Sequence, residues 1–240
     1  MTQTWADGPM VAFDTETTGP DPETARIVTA ALVSVGPGAG TSSYLLNPEV
    51  EIPQGATDVH GITTEHARQH GESPADIVPV LVAELAEHVE AGRPIVIYNA
   101  PFDLTVLARE CVRYGHKTLH EVCAADGLLP WIVDPFVLDR ALDRYRRGSR
   151  KLVDVARHYR VPLSDGDAHT SGGDALAAAR VAWRIARTHP KVGAMGRDEL
   201  MAYQARAYAD WADGFAGYLA RQGKAESISR EWPVRAVSHG

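Results

Sequence analysis

The chain has 240 residues, 45% hydrophobic and 23% charged, an ordinary globular composition with room for one full domain plus an appendage, or for two small domains. Its net charge of −7 argues against a stoichiometric coat on duplex DNA, which needs a basic footprint, so any polyanion is held over a short length. No apolar run approaches ~18 residues and the first residues lack the basic and apolar regions of a signal peptide, while Cys111 and Cys123 stand outside Cys-x-x-Cys spacing; a reduced, cytoplasmic protein without a membrane span is expected.

Met10 to Phe13 is a short apolar run of the kind that forms a strand buried on both faces, and Asp14-Thr-Glu-Thr-Thr-Gly19 follows at once. Side chains alternate along a strand, so Asp14 and Glu16 emerge on one face about 6.6 Å apart while Thr15 points away. Two carboxylates at the end of a buried strand are costly without a neighbouring positive charge. Their oxygens suit a hard divalent cation such as Mg²⁺ or Mn²⁺, and the alternative is a polar strand end running into a turn.

Arg26 to Val35 reads as a second strand, and Gly36-Pro-Gly-Ala-Gly40 as a turn into a third, Thr41 to Leu46. Asn47 to His60 is expected as loop, closing on His60-Gly61-Ile62-Thr63. Thr64 to His70 follows as a short helix, whose His66 and His70 lack the Glu of a His-Glu-x-x-His zinc face. Ser73-Pro74 opens a helix with the stripe Ile77, Leu81, Leu85 and Val89, stopped by Gly92.

Pro94 to Tyr98 is a fourth strand, and Asn99-Ala-Pro-Phe-Asp103 leads into a helix burying Leu104, Leu107, Ala108 and Cys111. Trp131 to Val133 reads as a fifth strand, with Asp134-Pro135 capping the next helix. Residues 139–160 hold Arg140, Arg144, Arg146, Arg147, Arg150, Lys151, Arg157 and Arg160 against Asp139, Asp143 and Asp154. That is the basic segment of an acidic chain, either a solvated helical face or a contact for phosphates.

Pro162 to Gly173 is a loop rich in Asp, Gly and Ser, and a helix from about Asp174 to Thr188 carries Asp174 on one face with Ala177, Ala178, Val181 and Ile185. Small residues there let the helix lie close to the sheet and bring Asp174 near Asp14. Pro190 to Gly196 reads as a boundary between a domain over residues 1–190 and a helical extension over 191–240. In the extension, Asp198 to Gln222 is a helix with Leu200, Tyr203, Ala207, Trp211, Phe215 and Tyr218 along one stripe, folded back on the domain or docked on a partner protein. Gly223 to Gly240 is expected to be loose, with Trp232 as an anchor.

Asp14, Glu16, Asp103, His169 and Asp174 all lie at the edges of apolar elements. A helix cap explains Asp103 or Asp174 singly, but not why three segments carry acids that converge. Phe13-Asp-Thr-Glu-Thr-Thr-Gly19, Tyr98-Asn-Ala-Pro-Phe-Asp103 and His169-Thr-Ser-Gly-Gly-Asp174 resemble the three exonuclease motifs of the DEDDh family, the proofreading epsilon-subunit type. The resemblance covers about residues 9 to 190 and includes His60-Gly61-Ile62. It implies a ribonuclease H-like α/β fold, a mixed five-stranded sheet flanked by helices. It also implies a 3′-to-5′ exonuclease with two divalent metal ions, Mg²⁺ or Mn²⁺, in which Asp14, Glu16 and Asp174 hold the first metal and Asp14 bridges to the second. Asp103 would reach the second metal largely through water, and His169 would be the general base. Thr15, Thr17, His60, Asn99 and Phe102 match positions lining the pocket for the 3′-terminal nucleotide. The expected partner is a single-stranded 3′ end, DNA before RNA, with two other readings: an oligoribonucleotide trimmer, and an accessory subunit bound to a DNA polymerase.

Overall fold

The computed structural model describes residues 4–163, 169–224 and 227–236. β1 (Met10–Thr17), β2 (Ile27–Val35), β3 (Gly40–Leu45), β4 (Ile95–Val96) and β5 (Ile132–Val133) form one sheet in the order β3-β2-β1-β4-β5. β2 is antiparallel to β1 and β3, whereas β1, β4 and β5 run parallel. The sheet is the mixed five-stranded one expected of a ribonuclease H-like fold. β1 is its central strand, and Val11, Ala12 and Phe13 are fully buried, as the apolar run required.

Helices cover both faces. On one side Val11, Phe13 and Ile95 pack against α3 (Pro74–Glu90), α4 (Ala100–Arg113) and α5 (Leu119–Ala125). On the other, Met10, Ala12 and Val96 pack against α6 (Pro135–Leu142), α7 (Leu152–His158) and α8 (Ser171–Thr188). The apolar stripes read from the sequence of α3 and α4 are the ones buried. α2 (Thr64–His70) also forms where expected, capped by the Thr63 hydroxyl.

Several expectations are corrected. Residues 54–60 form a helix, α1 (Gln54–His60), rather than loop; it buries no residue and ends on left-handed Gly61, so it has no apolar period to read. α8 starts at Ser171, three residues before Asp174, because Thr170 caps it by accepting the Gly173 N–H at 3.1 Å. Pro190 to Gly193, within the stretch read as a boundary, form a short helix, α9, whose Gly193 lies against the Ala186 carbonyl.

The long C-terminal helix α10 (Arg197–Arg221) folds back on α6 and β5. Its buried residues are Leu200, Gln204, Tyr208, Ala212 and Leu219, not the aromatic stripe expected. Gln204, fully buried, accepts from the Asp134 N–H at 2.7 Å and donates to the Ile132 carbonyl at 3.0 Å. It thereby closes the outer edge of β5. Residues 227–236 are not loose: Trp232 packs against the core and donates to Asp134, and the Arg235 N–H donates to the Thr105 hydroxyl.

Gln204→Leu keeps the bulk and removes both bonds, leaving a buried donor and acceptor unpaired. Urea unfolding should show a loss of about 1–3 kcal/mol; an unchanged midpoint would mean that α10 contributes nothing through this contact.

Candidate active site

The site forms where β1 outruns its parallel neighbour. β4 pairs with β1 only at Val11 and Ala12, so beyond them the β4 side of β1 lacks a strand. The Val11 N–H reaches the Pro94 carbonyl on that side, and by strand alternation the Thr15 N–H points the same way. Asp103, in the first turn of α4, fills the gap: its Oδ1 accepts the Thr15 N–H at 3.0 Å and the Thr15 hydroxyl at 2.7 Å. Thr15 therefore positions a carboxylate through both its main chain and its side chain.

Asp14 and Glu16 emerge half-buried on the opposite face, toward α8. The small residues Ala175, Ala178 and Ala179, all buried, let α8 approach the sheet and bring Asp174 in its first turn to the same place. One carboxylate oxygen from each of Asp14, Glu16 and Asp174 lies within 4.8 Å of the others. Among the described residues this is the sole group of three or more His, Cys, Asp or Glu side chains so arranged. His66 and His70 stack with ring centroids 4.8 Å apart and lack a third ligand.

The electrostatics are those of like charges crowded out of water. Burial, then the repulsion of Asp103, Asp174 and Glu16, raises Asp14 far above the usual carboxylate range. Burial, with Asp174 and Asp103, pushes Glu16 up to about 8. Asp103 is also raised by burial, against the opposing Thr15 hydrogen bonds. Burial raises Asp174 too, while the nearby His169 and its main-chain N–H oppose the shift. A cluster of hard oxygen donors that resists ionisation on its own suits a divalent cation, which would neutralise it.

His169 sits exposed at a left-handed φ of 64°, just before the cap of α8. Of the loop expected over Pro162 to Gly173, residues 164–168 lie outside the described residues, and Gly172 and Gly173 belong to the first turn of α8. His60, at the end of α1, accepts the Ile62 N–H on Nδ1 at 3.1 Å, which leaves the proton of a neutral ring on Nε2. Burial lowers the pKa of this half-buried ring, and hydrogen bonding to the Thr17 main chain opposes that shift. The buried Thr17 hydroxyl donates to the Gly19 carbonyl at 2.9 Å. Asn99, at a left-handed φ of 66°, leads into α4 without using its side chain as a cap. Phe102 lies part-buried against the core one residue before Asp103. Of the residues singled out in the sequence, Asp14, Glu16 and Asp174 are brought together and Thr15 is bonded to Asp103, while Thr17, His60, Asn99 and Phe102 lie at the ends of β1 and α1 and the start of α4.

One positioning residue was missed. Asp134 is fully buried and accepts the N–H groups of Asn99 and Ala100, each at 2.9 Å, and of Phe136 at 3.0 Å. It holds the starts of α4 and α6 together, although burial raises its pKa to about 6. Its sequence signal, an Asp-Pro pair, marks only a helix cap.

Comparison with known proteins agrees with this geometry. The RNase_T family model, described as Exonuclease, matches residues 11–182. The chain belongs to this DnaQ-like 3′-to-5′ exonuclease family. The chain is 27% identical over 192 residues to the PolC-type DNA polymerase III of Thermotoga maritima, covering 79% of this chain and 13% of the polymerase. It is 29% identical to a DNA polymerase III subunit epsilon-like protein of Rhodobacter capsulatus, covering 73% of this chain and 23% of that protein. It is also 29% identical to the uncharacterized exonuclease CP81 of Escherichia phage 186, covering 71% and 84% respectively. The chain thus spans under a quarter of the first two relatives. Its fold resembles that of E. coli Exonuclease I in complex with a dT13 oligonucleotide, with a TM-score of 0.64 and 19% identity over 77% of this chain and 42% of that one.

The raised Glu16 gives a stability prediction. A carboxyl that holds its proton more tightly when folded adds stability at low pH, lost as pH rises through the unfolded value toward about 8. In EDTA, Tm should fall from about pH 5 to pH 8, and Glu16→Gln should raise it at pH 8 by roughly 2–4 °C, about 1 kcal/mol. Parallel curves for the two proteins would show that Glu16 is not held in this way.

Proposed function

We propose that the exonuclease removes nucleoside monophosphates stepwise from single-stranded DNA 3′ ends, using two divalent cations and His169 as general base. The observation that carries this reading is the convergence of Asp14, Glu16 and Asp174 within 4.8 Å, with Asp103 fixed beside them by Thr15 and His169 next to Asp174. Asp14, Glu16 and Asp174 would hold the first cation, and Asp14 with Asp103 would hold the second. Mg²⁺ or Mn²⁺ held there would make the attacking water more acidic and offset charge on the attacking and leaving oxygens of the phosphodiester.

The chain's own residues do the rest. His169, exposed and unencumbered by a helix position, takes the proton of the attacking water on a ring nitrogen, as histidine does near neutrality. Its place one turn from Asp174 ties the base to the carboxylate cluster. With its Nδ1 taken by the Ile62 N–H, His60 keeps an Nε2–H donor that fits an oxygen of the terminal nucleotide. Asn99 offers its amide and Phe102 its ring to the same nucleotide, each set by the turn into α4. The similarity to a polymerase and to an epsilon-like subunit favours a second role, as a proofreading partner of a DNA polymerase.

The test uses 5′-labelled DNA and RNA single strands with and without Mg²⁺ or Mn²⁺. A ladder shortening from the 3′ end is expected only with metal, and on DNA ahead of RNA. Asp14→Ala should lower the rate by about a thousandfold or more, because ligands and base act as a unit; activity untouched by this change sinks the mechanism. His169→Ala should cut kcat by about a hundredfold or more, leave Mn²⁺ affinity within about twofold, and flatten the acid limb of the pH–rate profile. A retained acid limb rules His169 out as the base. Co-purification with a polymerase, lost when residues 197–240 are deleted, is the expected sign of the second role.

A further inference from the structure

The expected stripe of α10 splits in the structure. Leu200 is buried, but Phe215 is 37% exposed and Tyr218 is 50% exposed. Trp211, Phe215 and Tyr218 instead form a ladder on the helix surface. Trp211 and Phe215 stack at a centroid distance of 5.6 Å and 13° between planes, and Phe215 and Tyr218 at 6.4 Å and 13°. Facing the ladder is the basic segment between α6 and α7, and together they enclose a groove of about 780 Å³.

The charges in this groove are unequal. Arg146 and Arg150 are held by the buried Asp139, each at 2.5 Å, so their charge serves the fold. Arg140, Arg144 and Arg206 also line the groove and have no carboxylate partner among the described residues. Arg140 is half-buried between two rings, 4.1 Å from the Trp211 centroid and 4.5 Å from that of Phe136. Against them stands one exposed acid in the groove lining, Asp210. A surface of net positive charge beside stacked aromatic faces, in a protein of net charge −7, calls for an anion that also carries flat apolar faces. Single-stranded nucleic acid has both at every nucleotide.

The groove is also tied to the active site. Tyr98, the residue before Asn99, donates its hydroxyl to the Arg150 carbonyl at 2.6 Å and packs its ring 5.4 Å from Phe136. The groove wall is thus fixed to the end of β4, one residue from the turn that presents Asn99, Phe102 and Asp103.

We propose that this groove is the track for the single strand upstream of the 3′ end, with phosphates on Arg140, Arg144 and Arg206 and bases on the Phe215 and Tyr218 rings. The proposal rests on a single-stranded 3′ end being the substrate. Its consequence is length dependence: a strand long enough to leave the cleft gains contacts that a short one lacks. Because α10 lies beyond the matched family region of 11–182, Arg206, Phe215 and Tyr218 are the extension's contribution, while Arg140 and Arg144 come from the matched domain.

The test is binding in EDTA, which needs no catalysis. Fluorescence anisotropy is read with oligothymidylates of about 5 and about 20 nucleotides on wild type, on Arg144→Gln with Arg206→Gln, and on Phe215→Ala with Tyr218→Ala. All four positions are exposed, and matched melting curves confirm folding. Each double variant should weaken the 20-mer by about tenfold and the 5-mer by less than about twofold. The arginine pair should also lower the slope of log affinity against log salt by about 1. Unchanged 20-mer binding, equal losses on both lengths, or no 20-mer binding by wild type overturns the track. Retained DNA binding with loss of self-association assigns the face to a second copy of the chain and overturns it too. A wild type that binds the 20-mer through these residues yet leaves it intact with Mg²⁺ or Mn²⁺ contradicts the proposed reaction and leaves the track standing.

Discussion

β4 and β5 each contribute only two residues to the sheet, Ile95–Val96 and Ile132–Val133, and most of the architecture around the site answers that shortness. A central strand that extends past its neighbour exposes main-chain donors to the interior, where an unpaired group is costly. Side chains supply the missing acceptors. Asp103 takes the Thr15 N–H on β1, Asp134 takes the N–H groups of Asn99 and Ala100 after β4, and Gln204 takes the Asp134 N–H after β5. The bonds run from β1 outward to α10. An opening for substrate is created by ending two strands early, and the polar groups so exposed are the ones that fix the helices carrying Asn99, Phe102 and Asp103.

The same constraint explains how an acidic cluster survives in a folded core. Asp14 and Glu16 leave β1 on the face that α8 covers, and the alanines of α8 bring Asp174 down upon them rather than leaving space for water. In the absence of a counter-charge each group raises the others, and the folded state carries that repulsion as lost stability. Hydrophobic packing of Val11, Phe13 and Ala12 beneath the acids holds the geometry against the repulsion. The cost grows with pH: Glu16, pushed up to about 8, loses stability for the fold as pH rises toward that value.

Much of this was legible in residue order. The apolar run followed by acids two apart identified β1 and the shared face of Asp14 and Glu16, because strand alternation is a geometric rule. Helix periodicity identified α3 and α4, whose stripes face a sheet. What escaped was structure that does not depend on hydrophobic period. α1 buries nothing and so leaves no pattern. Gln204 is fully buried because it bonds to the edge of β5, and no polarity scale places a glutamine in a core. Its inclusion rotates the buried stripe of α10 away from the aromatic residues, which by type alone read as core. Asp134 resembled an ordinary cap, and only the three-dimensional meeting of α4, α6 and Trp232 shows that one carboxylate serves them all.

The rotation of α10 has a wider meaning for how the extension relates to the domain. A helix held by Leu200, Gln204, Tyr208 and Ala212 needs nothing from Phe215 or Tyr218 for its docking. Exposed aromatic side chains lose hydration entropy in water and raise the hazard of aggregation, so their stacking into a ladder is a partial remedy that buries ring against ring. Arg140, packed between Phe136 and Trp211, turns one end of the ladder toward the basic segment. The helix is therefore two-sided: a polar and aliphatic side closes β5 and steadies the Asp134 junction, and an aromatic side faces the arginines. A change on the first side acts on the active site through Asp134 and Asn99, whereas a change on the second leaves those bonds in place. The two sides of one helix separate positioning of the cleft from whatever occupies the groove outside it.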